Sequence, residues 1–161
     1  MPAGAVDSSA DMALKPRGPV DTGARVIRVV DGDTLHVDID GEDVDVRMIG
    51  INTPETVKPA SPIECFGPEA SAYAKRLLTG ATVTIEYDAS QGRTDRFGRT
   101  LAYVWIERPG ADLLFNRLAV RGGYAYQYRY GRPYAWEREF VAAQKKAKAE
   151  KAGMWGACPA R

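Results

Sequence analysis

Two alternating runs joined by a two-residue turn limit the fold more than any other feature. Leu35, Val37 and Ile39 alternate with His36, Asp38 and Asp40, and beyond Gly41 the residues Val44, Val46 and Met48 alternate with Asp43, Asp45 and Arg47. A period of two puts one set on an apolar face and the other toward water, which a helical period cannot do. Asp40-Gly41 between such runs is a strong signal for a tight hairpin turn. A β-prone run before it, Val26, Ile27, Val29 and Val30, stops at Asp31-Gly32-Asp33. Three antiparallel strands in succession make a meander.

The remaining chain supplies two more strands and three helices. Residues 1–23, rich in Ala, Gly, Pro, Ser and Asp without periodicity, read as a disordered tail, so the ordered domain is expected over 24–157. Residues 57–67 hold Pro59, Pro62 and Gly67 and read as a loop. Pro68 and Glu69 suit a first helical turn, Ala70, Tyr73, Ala74, Leu77 and Leu78 share one stripe, and Gly80 closes the helix. Val83, Ile85 and Tyr87 alternate in a fourth strand, and Leu101 to Ile106 is a nearly continuous apolar fifth. Asp112 is placed to cap a second helix that Gly122-Gly123 ends. A third helix is expected from Tyr134 to Ala152, with Trp136, Phe140, Ala143 and Ala147 inward and a solvated lysine face of Lys145, Lys146, Lys148 and Lys151. The class is therefore α+β, mainly β. Five strands with a helix between the third and fourth point to a five-stranded barrel of the OB type, although periodicity alone also admits other α+β arrangements.

Composition narrows the function. At 161 residues the chain suits one domain. No apolar run approaches the roughly 18 residues of a membrane span, and no hydrophobic segment near Met1 resembles a secretory signal. A soluble, cytoplasmic protein is the default expectation. The net charge is only +1, but acids dominate the first 64 residues and bases the rest, so one half could offer metal ligands and the other face a polyanion. His36 is the only histidine and alternates with apolar neighbours on a strand, which argues against histidine-based acid–base chemistry. Cys65 and Cys158 flank elements rather than sit inside them; they are either a disulfide, which would place the protein in an oxidising compartment and suggest secretion, or two free thiols.

Three loops hold the chemistry. Asp31-Gly32-Asp33-Thr34 puts two carboxylates around a glycine, a compact source of oxygen ligands for a hard cation. In Arg47-Met48-Ile49-Gly50-Ile51-Asn52-Thr53-Pro54-Glu55 a strand carries a cation to a Thr-Pro break that a carboxylate follows. Asp95-Arg96-Phe97-Gly98-Arg99 presents a second arginine before a buried strand. Each has an ordinary alternative, such as a solvated turn or a surface pair of Arg47 with Asp43 or Asp45. Together they form the inventory for phosphodiester hydrolysis: oxygen ligands for a metal, a carboxylate to take a proton from water, and guanidinium forks for phosphate oxygens.

With these residues in view, the sequence resembles the staphylococcal (micrococcal) nuclease, or thermonuclease, family. The resemblance rests on DGDT, R-x-I-G-I-N-T-P-E-T, F-G-P-E-A-S, G-R-T-D-R-F-G-R-x-L-A-Y and a late helix ending in Met154-Trp155, in order over about Ala24 to Trp155. It implies an OB barrel with three helices and a Ca²⁺-dependent endonuclease that cuts DNA and RNA to 3′-phosphate and 5′-hydroxyl ends. By position, Asp33 matches a calcium-ligating aspartate, Thr53 a main-chain carbonyl ligand, Glu55 the general base, and Arg47 and Arg99 the phosphate-binding arginines. Asp31 would stand behind the ligands. The residue before a proline is driven extended, which fixes the direction of the Thr53 carbonyl.

The chain departs from the family pattern at a few positions. Asn52 stands where the family has a second aspartate ligand; an amide oxygen still coordinates Ca²⁺ but brings no charge, so weaker calcium binding is expected. Phe97 replaces a tyrosine. Tyr126 and Tyr128, in the run Tyr124 to Tyr130 interleaved with Arg129, either stack on bases of a single strand or pack the third helix. A non-catalytic OB module that binds nucleic acid or protein is the rival reading. Such a module would not need Arg47, Glu55 and Arg99 together. A monomer is expected.

Overall fold

A computed structural model of the chain describes residues 13–56 and 64–159. Strands β1 (Val20–Asp31), β2 (Thr34–Ile39) and β3 (Glu42–Met48) form the expected meander. Helix α1 (Gly67–Leu78) then leads to β5 (Thr82–Glu86) and β6 (Thr100–Ile106), with a two-residue β4 (Ile51–Asn52) ahead of α1. β1 is twelve residues long: its N-terminal half pairs with β5 and its C-terminal half with β2. Register shifts between Asp21 and Ala24 and beyond Val26 mark where it bends from one partner to the other. β5 pairs with β6, and β6 runs parallel to β3, with Val46 opposite Thr100, which closes a five-stranded barrel. Closure pairs each of these five strands on both sides, which removes the free edges that are the usual difficulty of a small β domain.

The remaining elements cover the outside. β7 (Leu113–Leu114) adds to β6 and runs directly into α2 (Phe115–Arg121); β8 (Tyr126–Gln127) pairs with β4; α3 (Glu137–Ala149) and the short α4 (Met154–Ala157) end the chain. Because helices lie against it, β6 is buried on both faces, with Ala102, Tyr103, Val104 and Trp105 all enclosed. That explains its unbroken apolar sequence. Tyr73 of α1 stacks on Tyr124 with centroids 4.0 Å apart, and Trp105 meets Trp136 edge-on at 5.6 Å. Each such pair contributes about 0.5–1.5 kcal/mol beyond area burial. Among the described residues, no helix is long and apolar enough to cross a membrane.

Four expectations need correction. The tail does not extend to residue 23: the first strand starts at Val20, and the amides of Arg17 and Gly18 already donate to the Glu86 carboxylate at 2.8 and 2.9 Å; residues 1–12 lie outside the described part. Asp112 caps no helix, because Leu113 and Leu114 first pair with β6 and α2 starts at Phe115. α3 is shorter than Tyr134–Ala152, since Tyr134 to Trp136 approach it as a turn. Alternation in β5 implied that Thr84 and Glu86 face water, yet both are buried: the N-terminal segment and Trp136, in the turn before α3, donate to Glu86, and the Thr84 hydroxyl donates to Glu107 at 2.9 Å.

Candidate active site

The loop Asp31-Gly32-Asp33 joins β1 to β2 at one end of the barrel. Asp31 pairs with Thr34, and Thr34 with Arg47, so the three occupy one row across adjacent strands. Asp33 is drawn inward and is only 7% exposed. One of its oxygens accepts both the amide and the hydroxyl of Thr53, each at 3.0 Å, and the other accepts the Thr34 hydroxyl at 3.0 Å. Gly32 is needed for this closeness: a Cβ there would come within 2.7 Å of the Thr53 methyl. The Asp31 carboxylate accepts the Asp33 amide at 3.1 Å.

Arg47 is fixed rather than solvated. Its Nη1 donates to the carbonyls of Met48 (2.7 Å) and Ile51 (3.0 Å), while Nη2 lies 3.4 Å from the Asn52 amide oxygen and 3.5 Å from the Asp33 carboxylate. Asp33 and Asn52 are therefore its partners, not Asp43 or Asp45. The turn that follows is held from below. Asn116, fully buried on α2, donates to the Ile49 carbonyl at 2.8 Å and accepts from the Val104 amide at 2.9 Å. Gly50 has φ +81°, and a Cβ on it would strike Tyr134 and Phe140, so only glycine lets the stretch pass under α3.

Glu55 follows Pro54 and is half-buried. Its main chain is held on both sides by Glu64: the Glu55 amide donates to the Glu64 carboxylate at 2.8 Å, and the Glu64 amide donates to the Glu55 carbonyl at 2.9 Å. Arg99 comes to the same strand by a different route. The parallel pairing of β6 with β3 sets it one residue before Thr100, opposite Val46. Asp95 orients it, accepting Nε at 2.8 Å and the Arg99 and Phe97 amides at 2.9 Å each.

The electrostatics of the two aspartates diverge. Burial, the Asp33 charge and, more remotely, Glu55 push the Asp31 carboxyl up to about 7. Burial would raise Asp33 too, but the Arg47 guanidinium and the hydrogen bonds from Asp31 and Thr53 outweigh it and hold Asp33 below the usual carboxylate range. Asp33, the Asn52 amide oxygen and the Thr53 carbonyl, the one Thr53 polar group outside its contact with Asp33, offer only oxygen, the donor type that suits a hard divalent cation, with Asp31 behind them. Among the described residues no three His, Cys, Asp or Glu side chains form a metal cluster. A cation held here would need Asn52 and the main chain as well as carboxylate.

Residues 45–157 match the model of the staphylococcal nuclease homologue family. Over 131 residues the chain is 44% identical to the thermonuclease of Staphylococcus hyicus, an overlap that covers 81% of this chain and 74% of that protein. The thermonuclease of Staphylococcus intermedius is 41% identical over 130 residues, with the same coverage. An SPbeta prophage-derived endonuclease of Bacillus subtilis, YokF, is 36% identical over 80% of this chain and 42% of its own length. The chain belongs to the staphylococcal nuclease family.

Within this nuclease-family barrel the aromatic residues divide. Tyr124 is core. Tyr126 lies on β8 directly opposite Asn52, and the Tyr128 amide donates to the Gly50 carbonyl at 2.8 Å, so the tyrosine run is tied by its main chain to the Arg47–Glu55 stretch. Tyr128 is 42% exposed and Phe97 69%. Phe97 lies under Arg96 and Arg99, with Arg99 5.4 Å from its centroid. Cys65 and Cys158 are bonded, with Cα atoms 6.0 Å apart. Sequence reasoning missed Asn116 and Glu64. Buried Asn116 had one available signal, a polar residue inside an apolar helix stripe. Glu64 had none, since eight residues, two of them prolines, separate it from Glu55.

Proposed function

We propose that this nuclease-family protein is a metal-dependent endonuclease that hydrolyses DNA and RNA, single strands preferred, to 3′-phosphate and 5′-hydroxyl ends. One observation carries the reading: Glu55 is half-buried and near enough to Asp31 to act on its charge, and the adjoining Asp33 is buried against the Arg47 guanidinium at 3.5 Å. Asp33, Asn52 and the Thr53 carbonyl would hold the cation, with Asp31 behind them. Ca²⁺, when bound, neutralises phosphate charge and makes bound water more acidic.

The protein's own groups do the rest. Glu55 accepts a proton from the attacking water as the water oxygen bonds to phosphorus. Arg47 and Arg99 bind the non-bridging oxygens and stabilise the charge that develops on them. The bond to the 5′ oxygen then breaks, and that oxygen leaves as a hydroxyl after taking up a proton. Phe97, Tyr126 and Tyr128 offer rings on which neighbouring bases stack. Every residue used comes from one chain, so a monomer suffices.

The rival, a binding module, has use for the arginines and aromatics but none for a carboxylate beside them. Incubation with plasmid and with single-stranded DNA, in Ca²⁺ and in chelator, separates the two. Metal-dependent cleavage is expected, with Glu55→Gln slower by roughly 10²–10⁴-fold. Full activity of Glu55→Gln, or cleavage indifferent to chelator, refutes the mechanism.

A further inference from the structure

The Cys65–Cys158 bond lies next to the residue that holds Glu55. Glu64 makes the two reciprocal hydrogen bonds to the Glu55 main chain, and its own carbonyl accepts the Gly67 amide at 2.9 Å, where α1 begins. Gly67 is packed so closely against Glu55 that a Cβ there would come within 2.9 Å of the Glu55 carbonyl oxygen. Between Cys65 and α1, Phe66 has φ +70°, a left-handed conformation that costs a side-chain-bearing residue energy and persists only where its surroundings enforce it. Two anchors flank it. Its ring packs on Tyr124 at 5.5 Å, and Cys65 is tied to Cys158.

The far end of that tie is rigid. α4 is docked by the Met154 amide, which donates to the Gly123 carbonyl at 3.0 Å; Met154 is buried, and the Cys158 amide closes the last turn onto the Met154 carbonyl at 2.9 Å. A continuous path thus runs from the end of α2 through α4 and the disulfide to Glu64 and Glu55.

We infer that Glu64 is the positioning residue for Glu55 and that the Cys65–Cys158 disulfide holds Glu64 in place, so that the thiol–disulfide state sets the catalytic rate. The inference rests on Glu55 as the proton acceptor. Reduction by a dithiol is balanced: the two reductant thiols become a disulfide, and Cys65 and Cys158 each gain a proton and become thiols. Phe66 is then free to leave its left-handed conformation, and Glu64 shifts from the Glu55 amide. Arg47 and Arg99 are held by other contacts, so substrate binding persists while the base loses its position. An oxidising compartment keeps such an enzyme active and a reducing one keeps it slow.

The test compares oxidised protein, protein reduced with dithiothreitol, and the variants Cys65→Ser/Cys158→Ser, Glu64→Ala and Glu64→Gln. Cleavage of a single-stranded oligonucleotide in Ca²⁺ is followed at a temperature where circular dichroism shows each to be folded. Reduction should lower kcat about tenfold with KM within twofold. The double serine variant should show the same low kcat and no response to the dithiol. Oxidised Glu64→Ala should also fall, and Glu64→Gln should recover, because its amide oxygen still accepts the Glu55 N–H. Without metal or substrate, exchange of the Glu55 amide hydrogen should speed up on reduction. Unchanged kcat in the reduced or double serine protein, a change confined to KM, or unchanged Glu55 exchange overturns the inference. If the double serine variant does not fold, the reduced wild-type protein decides the redox link and the oxidised Glu64→Ala and Glu64→Gln pair decides the positioning role, which full kcat in Glu64→Ala overturns. A Glu55→Gln variant with full activity refutes the base assignment instead, whereas an inactive one beside an unaffected double serine variant leaves that assignment standing and overturns the inference.

Discussion

Two clusters of carboxylates in this barrel are compensated in opposite ways. At one end, Glu86 and Asp88 are surrounded by neutral donors. Glu86, 1% exposed, accepts the amides of Arg17 and Gly18 and the indole N–H groups of Trp105 and Trp136; Asp88 accepts the Tyr103 hydroxyl, the Ser90 amide and hydroxyl, and the Ala135 amide. At the other end, Asp31 and Asp33 stand beside each other with Glu55 near, and Arg47 is the cation between them and Asn52. The first cluster is a joint between the N-terminal segment, β5, β6 and α3. The second holds negative charge together that its own protein neighbours compensate only in part, which is what a cation or phosphate site requires. Burial of an acid does not by itself mark function; the balance of donors around it does.

The largest effect should come from the saturated cluster. Glu86→Ala leaves two indole N–H groups and two main-chain amides facing a void, and should cost about 3–5 kcal/mol of unfolding free energy in urea. Cleavage by the protein that remains folded at low temperature should be normal. Loss of activity in that folded fraction would join the two clusters and break the contrast.

Asp88→Ala should cost about 2 kcal/mol, the scale of hydrogen bonds to a charged acceptor. Burial alone would raise this carboxyl, but the bonds from Tyr103, Ala135 and Ser90 outweigh it and hold it below the ordinary 3.8. With its folded value lower than its unfolded one, the stability it contributes is complete above the unfolded value and is lost as pH falls through the folded value. Urea midpoints should thus drop more steeply below pH 4 in the wild type than in Asp88→Ala.

Asp31 has the reverse sign. Raised to about 7 by burial and by Asp33, it favours the folded state fully below its ordinary 3.8, and that contribution is lost as pH rises through about 7. In chelator at pH 8, Asp31→Asn should therefore be more stable than the wild type, by on the order of 2 kcal/mol. A variant that is less stable at pH 8 would show that Asp31 is a structural joint like Asp88.

This contrast also explains what the sequence made legible. The hairpin of β2 and β3 followed from Leu35 to Met48 because a strand pair with one wet face shows its period directly. The residues that bring chemistry were visible because Asp33, Arg47 and Glu55 interrupt strands and turns where packing does not call for them. Glu86 was hidden: alternation in β5 assumes one wet face, and here the segment at Arg17 and Gly18 and the indole of Trp136, fifty positions later, both close over it. Glu64 and Asn116 were hidden for the same reason. Each acts on a main-chain group far along the chain, and no local period records such a bond. Tyr126 stands between two readings for a like reason: β8 sets it opposite Asn52, while its ring meets Trp155 at 6.5 Å.

The smallest effect expected is at Asn52, and it tests whether the incomplete cluster is a metal site at all. Its amide oxygen faces Arg47 Nη2 at 3.4 Å, so the side chain already points its acceptor toward the charged groups. Asn52→Asp adds a negative charge beside Asp33 and Asp31 without changing side-chain length. In the metal-free protein that charge is opposed by two carboxylates and favoured by Arg47, and the net loss of stability should be under about 1 kcal/mol. In calcium titrations followed by calorimetry the same charge should tighten binding about tenfold, roughly 1.4 kcal/mol. The two shifts have opposite sign only if the cation binds where Asn52 points. Equal calcium affinity in wild type and variant would place the metal elsewhere and leave the Asp31–Asp33 pair as a second structural joint.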